Sequence, residues 1–353
     1  MTGSTGLAFV ALLRAGLLTF ETLAGMKLPY LKPFRDTLSN IETLKLRGMS
    51  FDDETHAERC LLRIGYYRLS AYWYPFRDFC ALPGDEGKLI RCDRFVPGTT
   101  FEQVMSFYLF DKEARLTIAD ALERIEIAMR ATLIEVLGAR GAHAHRDQRS
   151  YNSHLTAPDP KTGEAPLDAF LSGLDNAFAS SKEEFAKHFL RTYAGRPPIW
   201  IAAGGWDWGN LAYTFRYLSD RNMSAICASI DPKLEQRTLI SWMASLNEVR
   251  NACAHHSRLW NKVLTNSPGF QKKGVLPEFD HMRDDRGRIQ DQHAKRLYGA
   301  LMAIIFLMKR IHPKTEWHRR FADLVRSANL PDQISTNAAG FPERWDTQTI
   351  WVR

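Results

Sequence analysis

Apolar residues return at Val104, Tyr108, Ile118, Leu122, Ile125, Met129, Leu133 and Val136, and the run stops at Gly138. These steps, built from threes and fours, are the period of an α-helix with one apolar face, and glycine commonly closes such a helix. A helix this long must lay its stripe against other helices, and the rest of the chain offers them. Ser50 with Asp53, and Thr100 with Gln103, have capping-box spacing, so each pair predicts a helix start. The interval from Ala139 to about Ser180 is polar and contains Pro and Gly, and reads as a long loop. Helices resume near Lys182, at Ile199 after Pro197 and Pro198, and at Asp231, the expected N-cap, with Pro232 in the first turn. The last long helix runs from about Gln292 to Ile311, before Pro313, and periodicity is lost after Leu330. Only Lys88–Val96 reads as strand. The fold class is therefore all-α, with at most a small β-hairpin and no internal repeat.

With 353 residues, 45% hydrophobic and 25% charged, the chain can bury a sizeable core. Lys and Arg outnumber Asp and Glu by 47 to 40, a net charge of +7 that favours an anionic partner such as nucleic acid. Five cysteines without a C-x-x-C pair point to reduced thiols in a cytoplasm, and argue against a disulfide framework or structural zinc. The apolar stretches from Leu7 and from Leu297 fall well short of the roughly 20 residues that span a bilayer, so no membrane segment is expected. The first also lacks the basic flank and cleavage site of a signal peptide, so residues 1–25 read as a poorly packed helix or an upstream extension, with Met26 an alternative start. There is no P-loop, no G-x-S-x-G and no H-E-x-x-H. His143 and His145 read as solvated loop residues, and neither a metal site nor a cofactor is predicted.

The densest chemistry lies in "RNACAHHSRLWN", Arg250 to Asn261. Leu239, Trp242, Leu246, Val249 and Cys253 form one buried stripe of the helix leading into it. Asn251 and His255, four apart, share another face, whereas Arg250 and His255 are on the order of 140° apart around an ideal helix. One helix would not aim both at one small target. Either the helix loosens at its end, the arginine reaches around, or a second copy completes the site; the last two together predict a homodimer. A histidine that moves protons and an arginine that forks onto phosphate suit RNA cleavage without a metal, with Asn251 holding the imidazole. The plain alternative is a helix end whose basic residues meet the last carbonyls.

This segment resembles the signature of the Abi-like abortive infection proteins, the AbiD and AbiF group, whose catalytic module belongs to the HEPN superfamily of metal-independent ribonucleases. "AERCLLRIGYYRLSAYWYPFR" (Ala57 to Arg77) and "FDKEARLTIADALERIEIAMR" (Phe110 to Arg130) resemble the family's N-terminal block and central helix, in the same order. "GGWDWGNLAYTF" departs from the family's tryptophan and glycine block, with Ala212 where serine is usual.

The resemblance implies a HEPN-type helical bundle in which Arg250 and His255 are catalytic, Asn251 is the polar residue after the arginine, and His256 is a second proton carrier or orients His255. Glu126 and Arg130, at ion-pair spacing, brace the site or form an ordinary surface pair. Between Tyr66 and Arg77 aromatic rings alternate with arginines, the combination that stacks bases and grips phosphates. Arg63, Tyr66, Tyr67, Arg68, Tyr72, Arg77 and Arg258 are the RNA-binding candidates, while Leu69, Trp73, Trp206, Trp208 and Trp242 are expected in the core. The expected organisation is an extension over 1–25, an N-terminal helical region over 26–98, the HEPN-like domain over 99–330 and an irregular tail over 331–353. The resemblance also implies an antiphage toxin that cuts RNA and is restrained by a small noncoding RNA antitoxin. A non-cleaving RNA-binding protein of the same fold and a membrane-damaging toxin using the apolar N-terminus are the alternatives.

Overall fold

A computed structural model of the protein describes residues 33–352 apart from 83–84 and 160–162. The apolar stretch from Leu7 and the alternative start at Met26 lie outside the described residues. The chain divides into two compact units. The first holds the described residues up to Ser70 with Arg77–Phe101; the second holds Ala71–Phe76 and everything from Glu102 onward.

In the first unit, α1 (Thr37–Leu46) and α2 (Glu54–Ile64) each begin on an aspartate. Asp36 accepts the Ser39 N–H at 2.8 Å and Asp53 accepts the His56 N–H at 2.9 Å. Ser50 therefore does not cap α2. Its backbone instead stitches the unit together, donating to the Thr99 carbonyl and accepting the Phe101 N–H, which makes a parallel bridge with Thr100. Gly65, at φ 93°, turns the chain between α2 and α3 (Tyr66–Trp73), a conformation a side chain would resist. Strands β1 (Arg77–Leu82) and β2 (Asp85–Phe95) then form the antiparallel hairpin, with register shifts near both ends of β1.

The second unit is built on α4 (Phe101–Gly138), which at 1.5 Å per residue is about 57 Å long. Val104, Ile118, Leu122, Ile125, Met129 and Leu133 are all buried, and Leu137 rather than Val136 completes the stripe. The expected long loop contains α5 (Pro166–Ala179), with Pro166 at its first turn and Leu167, Leu171, Leu174 and Phe178 buried at steps of four, three and four. Then follow α6 (Glu184–Thr192), α7 (Trp208–Tyr217), α8 (Asp220–Ile230), α9 (Gln236–Ala254), α10 (Leu297–Ile311) and α11 (Trp317–Ser327), with single-turn helices at Ile199–Ala202, Asp291–Ala294 and Thr349–Val352. Asp231 is not an N-cap. It closes α8, its carboxylate binds Arg310 at 2.9 Å, and α9 starts five residues later at Gln236.

Every residue of α10 from Leu297 to Met308 is buried, so this most apolar stretch of the described chain is a core helix. No described helix is long and apolar enough to cross a membrane. The described segment after Leu330 holds only short single-turn helices, yet it packs: Ile334, Phe341, Ile350 and Trp351 are buried. All five cysteines are free thiols. His143 is exposed, but His145 is buried with its Nδ1 unpartnered, against the expectation of a solvated loop residue; it sits beside Trp206, 6.2 Å between ring centroids.

Candidate active site

Helix α9 carries the motif. Leu239, Trp242, Leu246, Val249 and Cys253 are buried along one side, with the Trp242 ring edge-on to Phe279 and Phe306 and its Nε1 donating to the Gly269 carbonyl at 2.8 Å. From α7, the buried Trp208 donates Nε1 to the Met243 carbonyl at 3.0 Å, which fixes the middle of α9. The altered tryptophan and glycine block thus has a local structural role whatever stands at position 212.

The end of the helix decides where the histidines go. α9 stops at Ala254, with His255 as its C-cap and His256 in the left-handed region at φ 55°. The His256 N–H bonds to Cys253 O at 3.1 Å and the Ser257 N–H to Ala252 O at 2.9 Å. This pair of bonds is a Schellman turn, whose left-handed position usually holds glycine. His256→Gly should therefore raise stability by about 1 kcal/mol, read by urea titration. An unchanged or lower midpoint would show that the histidine is held there by interactions worth more than the strain.

Asn251 and His255 are exposed, and their side chains have no hydrogen-bond partner among the described residues. They line a common open cleft of about 480 Å³ with Asn247 and Glu248 from the same helix face and Lys262, Thr265 and Asn266 opposite. Arg250 is half-exposed, likewise without a partner among the described residues, and is not part of the cleft wall. The angular separation expected on the helix is thus present in the fold. His256 is exposed on the turn and does not line the cleft.

What holds the turn is a buried carboxylate that sequence reasoning did not single out. Asp111 on α4 is fully buried and accepts the backbone N–H of Leu259 at 3.0 Å and of Trp260 at 2.7 Å, the Tyr72 hydroxyl at 2.9 Å and Arg115 Nε at 3.1 Å. Burial drives its carboxyl up, while the Trp260 N–H, the Arg115 guanidinium, the Tyr72 hydroxyl and the Leu259 N–H pull against it. The Leu259–Trp260 backbone is thereby tied to α4 three residues beyond His256.

The other candidates separate. Tyr72 is 1% exposed and spends its hydroxyl on Asp111, so it has no face for a base and is a core residue rather than an RNA contact. Arg258 is half-buried and donates to the Ala71 carbonyl at 2.8 Å. Trp73, Leu69, Trp206 and Trp208 are buried as expected. Glu126 and Arg130 do pair, at 2.5 Å, and Arg130 also donates to the Trp206 carbonyl at 2.9 Å, fixing the entry to α7. Glu126 stands about 22 Å along α4 from Asp111, and neither residue lines the α9 cleft. In the first unit, Tyr66, Tyr67 and Arg77 share a separate cleft of about 1020 Å³ with Arg47. There Tyr67 is 74% exposed, Arg47 bonds the Tyr66 hydroxyl, and Asp93 pairs with both Arg47 and Arg77. Arg63 is exposed and Arg68 half-buried; neither lines that cleft.

Among the described residues no three His, Cys, Asp or Glu side chains are grouped to hold a metal ion. The chain is thus a mostly helical protein that presents an arginine, an asparagine and a histidine, unpaired among the described residues, at the end of one helix whose apolar side is buried. Residues 59–261, more than half of the chain, match the Abi-like protein family, and the chain belongs to that family. The match ends on Asn261, the last residue of the motif. No curated protein and no solved structure matches the chain.

Proposed function

We propose that this protein is an abortive-infection toxin of HEPN type that cuts RNA without a metal, acting as a homodimer. Family membership suggests abortive infection. The observation that carries the chemistry is the pairing of Asn251 and His255 in one solvent-open cleft, with nothing else occupying their side chains among the described residues. His255 is exposed on the wall of this cleft and free of any hydrogen-bond partner among the described residues.

In this reading the scissile phosphate lies at the α9 end. A neutral His255 takes the proton of the ribose 2′-hydroxyl as the 2′-oxygen attacks phosphorus. The P–O5′ bond breaks, its electron pair stays on O5′, and a protonated His255 of the second copy supplies the proton. The products are a 2′,3′-cyclic phosphate and a 5′-hydroxyl. Arg250 binds the phosphorane oxygens through its planar fork; lying outside its own cleft, it serves the cleft of the other copy. Asn251 holds the imidazole in one tautomer. The exposed Tyr67, with Arg63 and Arg77, adds RNA contacts from the first unit. The excess of basic residues suits RNA both as substrate and as a small noncoding antitoxin, in a cytoplasmic setting.

The test is cleavage of total cellular RNA by purified protein in EDTA. Wild type should leave 2′,3′-cyclic phosphate ends, and His255→Ala should lose at least about a hundredfold in rate, the usual weight of a general acid or base. Tight binding without cleavage, after any copurified RNA is stripped, would identify a non-cleaving RNA-binding protein instead.

A further inference from the structure

With Arg250 out of its own cleft, the cation that shares the wall with Asn251 and His255 is Lys262. It is the first residue beyond the family match. Its Nζ lies 3.4 Å from Glu248 Oε1, long for a charged hydrogen bond, and its side chain is 36% exposed. Glu248 is only 14% exposed and is engaged elsewhere: Oε1 accepts the Thr265 N–H at 3.1 Å, and Oε2 accepts the Asn266 N–H at 2.8 Å. Burial works against its ionised form, but those two N–H groups and Lys262 outweigh it and hold the carboxyl below the usual range. Glu248 thus pins the far wall of the cleft with backbone bonds that do not need Lys262. The lysine is left with one long, solvent-screened contact, a pair of the kind that contributes little to stability.

We propose that Lys262 is a phosphate-binding residue of this cleft, gripping the RNA backbone one nucleotide away from the scissile phosphate. This rests on the ribonuclease reading of the site. Its position supports the offset. Glu248, to which Lys262 is tethered, precedes His255 by seven residues, about 10 Å along the helix axis. That is too far for both groups to meet on one phosphate, and it suits neighbouring phosphates of an extended strand. Asn251 stands between them on the same face. An ammonium on a flexible stem, already half in water, can leave a weak carboxylate contact for a phosphate oxygen at small cost.

The experiment compares wild type, Lys262→Gln, Lys262→Arg and a remote control, Lys187→Gln, on a short oligoribonucleotide in EDTA. Affinity for the same strand with 2′-O-methyl sugars, which cannot be cut, is measured over a salt series. Lys262→Gln should raise KM and the Kd of the blocked strand about tenfold with kcat within a factor of three, and lower the slope of log Kd against log salt by about one. Lys262→Arg should restore most of the affinity, and Lys187→Gln should match wild type. Unchanged Kd and KM in Lys262→Gln, while His255→Ala is dead, overturns the lysine assignment and leaves the ribonuclease reading intact. A fall in kcat with unchanged KM also overturns it, since it would put Lys262 on the scissile phosphate. If wild type cuts nothing, the ribonuclease reading fails, and the blocked strand still decides whether Lys262 binds RNA. Equal melting temperatures for wild type and Lys262→Gln exclude a merely structural effect.

Discussion

Replacing Asp111 by alanine destabilises the protein by about 3–5 kcal/mol, the usual cost of removing one member of a buried ion pair. Three donors lose their acceptor together, the Leu259 and Trp260 N–H groups and the Tyr72 hydroxyl, and Arg115 Nε keeps only its longer bond to the backbone carbonyl of residue 111, at 3.3 Å. Arg115 is itself buried, so its charge would be left in the core without a counterion. The measurement is a urea titration monitored by tryptophan fluorescence, in which the midpoint should move sharply with little change in slope. Should the alanine variant fail to fold, Asp111→Asn keeps an acceptor for the two N–H groups and should retain a measurable, smaller loss of about 1–3 kcal/mol. A loss below about 1 kcal/mol in Asp111→Ala would mean that the turn beyond His256 is held by other contacts.

Stability should fall steeply as pH drops from 6.5 towards 4. Burial pushes His145, His281 and His318 down to about 4 from an ordinary value of 6.5. Arg146 and His143 add to the effect at His145, and Lys309 and Arg319 at His318; at His281, Glu278 and Asp280 oppose it. Both ring nitrogens of His318 are buried without a partner among the described residues. Well above pH 6.5, near pH 8, these groups are neutral in both states and contribute almost nothing to the slope. Below it the unfolded chain binds protons that the folded chain refuses, until the folded rings also charge near pH 4. With two to three protons in play the slope reaches roughly 3–4 kcal/mol per pH unit. Asp111, pushed the other way, offsets part of this. Melting temperatures from pH 8 to 4.5 should be nearly level close to pH 8 and fall progressively below it, and His318→Leu should flatten the descent. A level profile down to pH 5 would show that the histidines take up protons in the folded protein.

Much of the helical frame is legible in the sequence because its signals are local. The α4 stripe apart from Tyr108 and Val136, the whole α9 stripe and the continuous apolar run of α10 are buried as their patterns predict. Helix α5 carries the same signal in Leu167, Leu171, Leu174 and Phe178, but Pro and Gly composition drew the reading towards loop. Asp231 followed by Pro232 has the form of a helix start, and only the distant Arg310 shows that it ends one. The site divides along the same line. Asn251 and His255 line one cleft by helix geometry, since four-residue spacing puts them on one face. Asp111 could not be found that way, because the N–H groups it holds are 148 and 149 residues away. The burial of Tyr72 is not legible in the sequence, because an aromatic beside arginines looks the same whether its face is bare or buried. Lys262 lies one residue past the motif and comes into the cleft only through the turn beyond it.

The family match stops at Asn261, but the forces that shape its last helix do not. Trp242 of α9 rests on Phe279 and Phe306, and Trp260 stacks near Phe341 and donates to the Ile334 carbonyl, all from chain beyond the match. A protein trimmed to the matched segment would expose the apolar side of the helix that presents the motif. The smallest inheritable part of this molecule is therefore larger than the part by which it is recognised, and a graft onto another scaffold would have to carry the C-terminal quarter along with the motif.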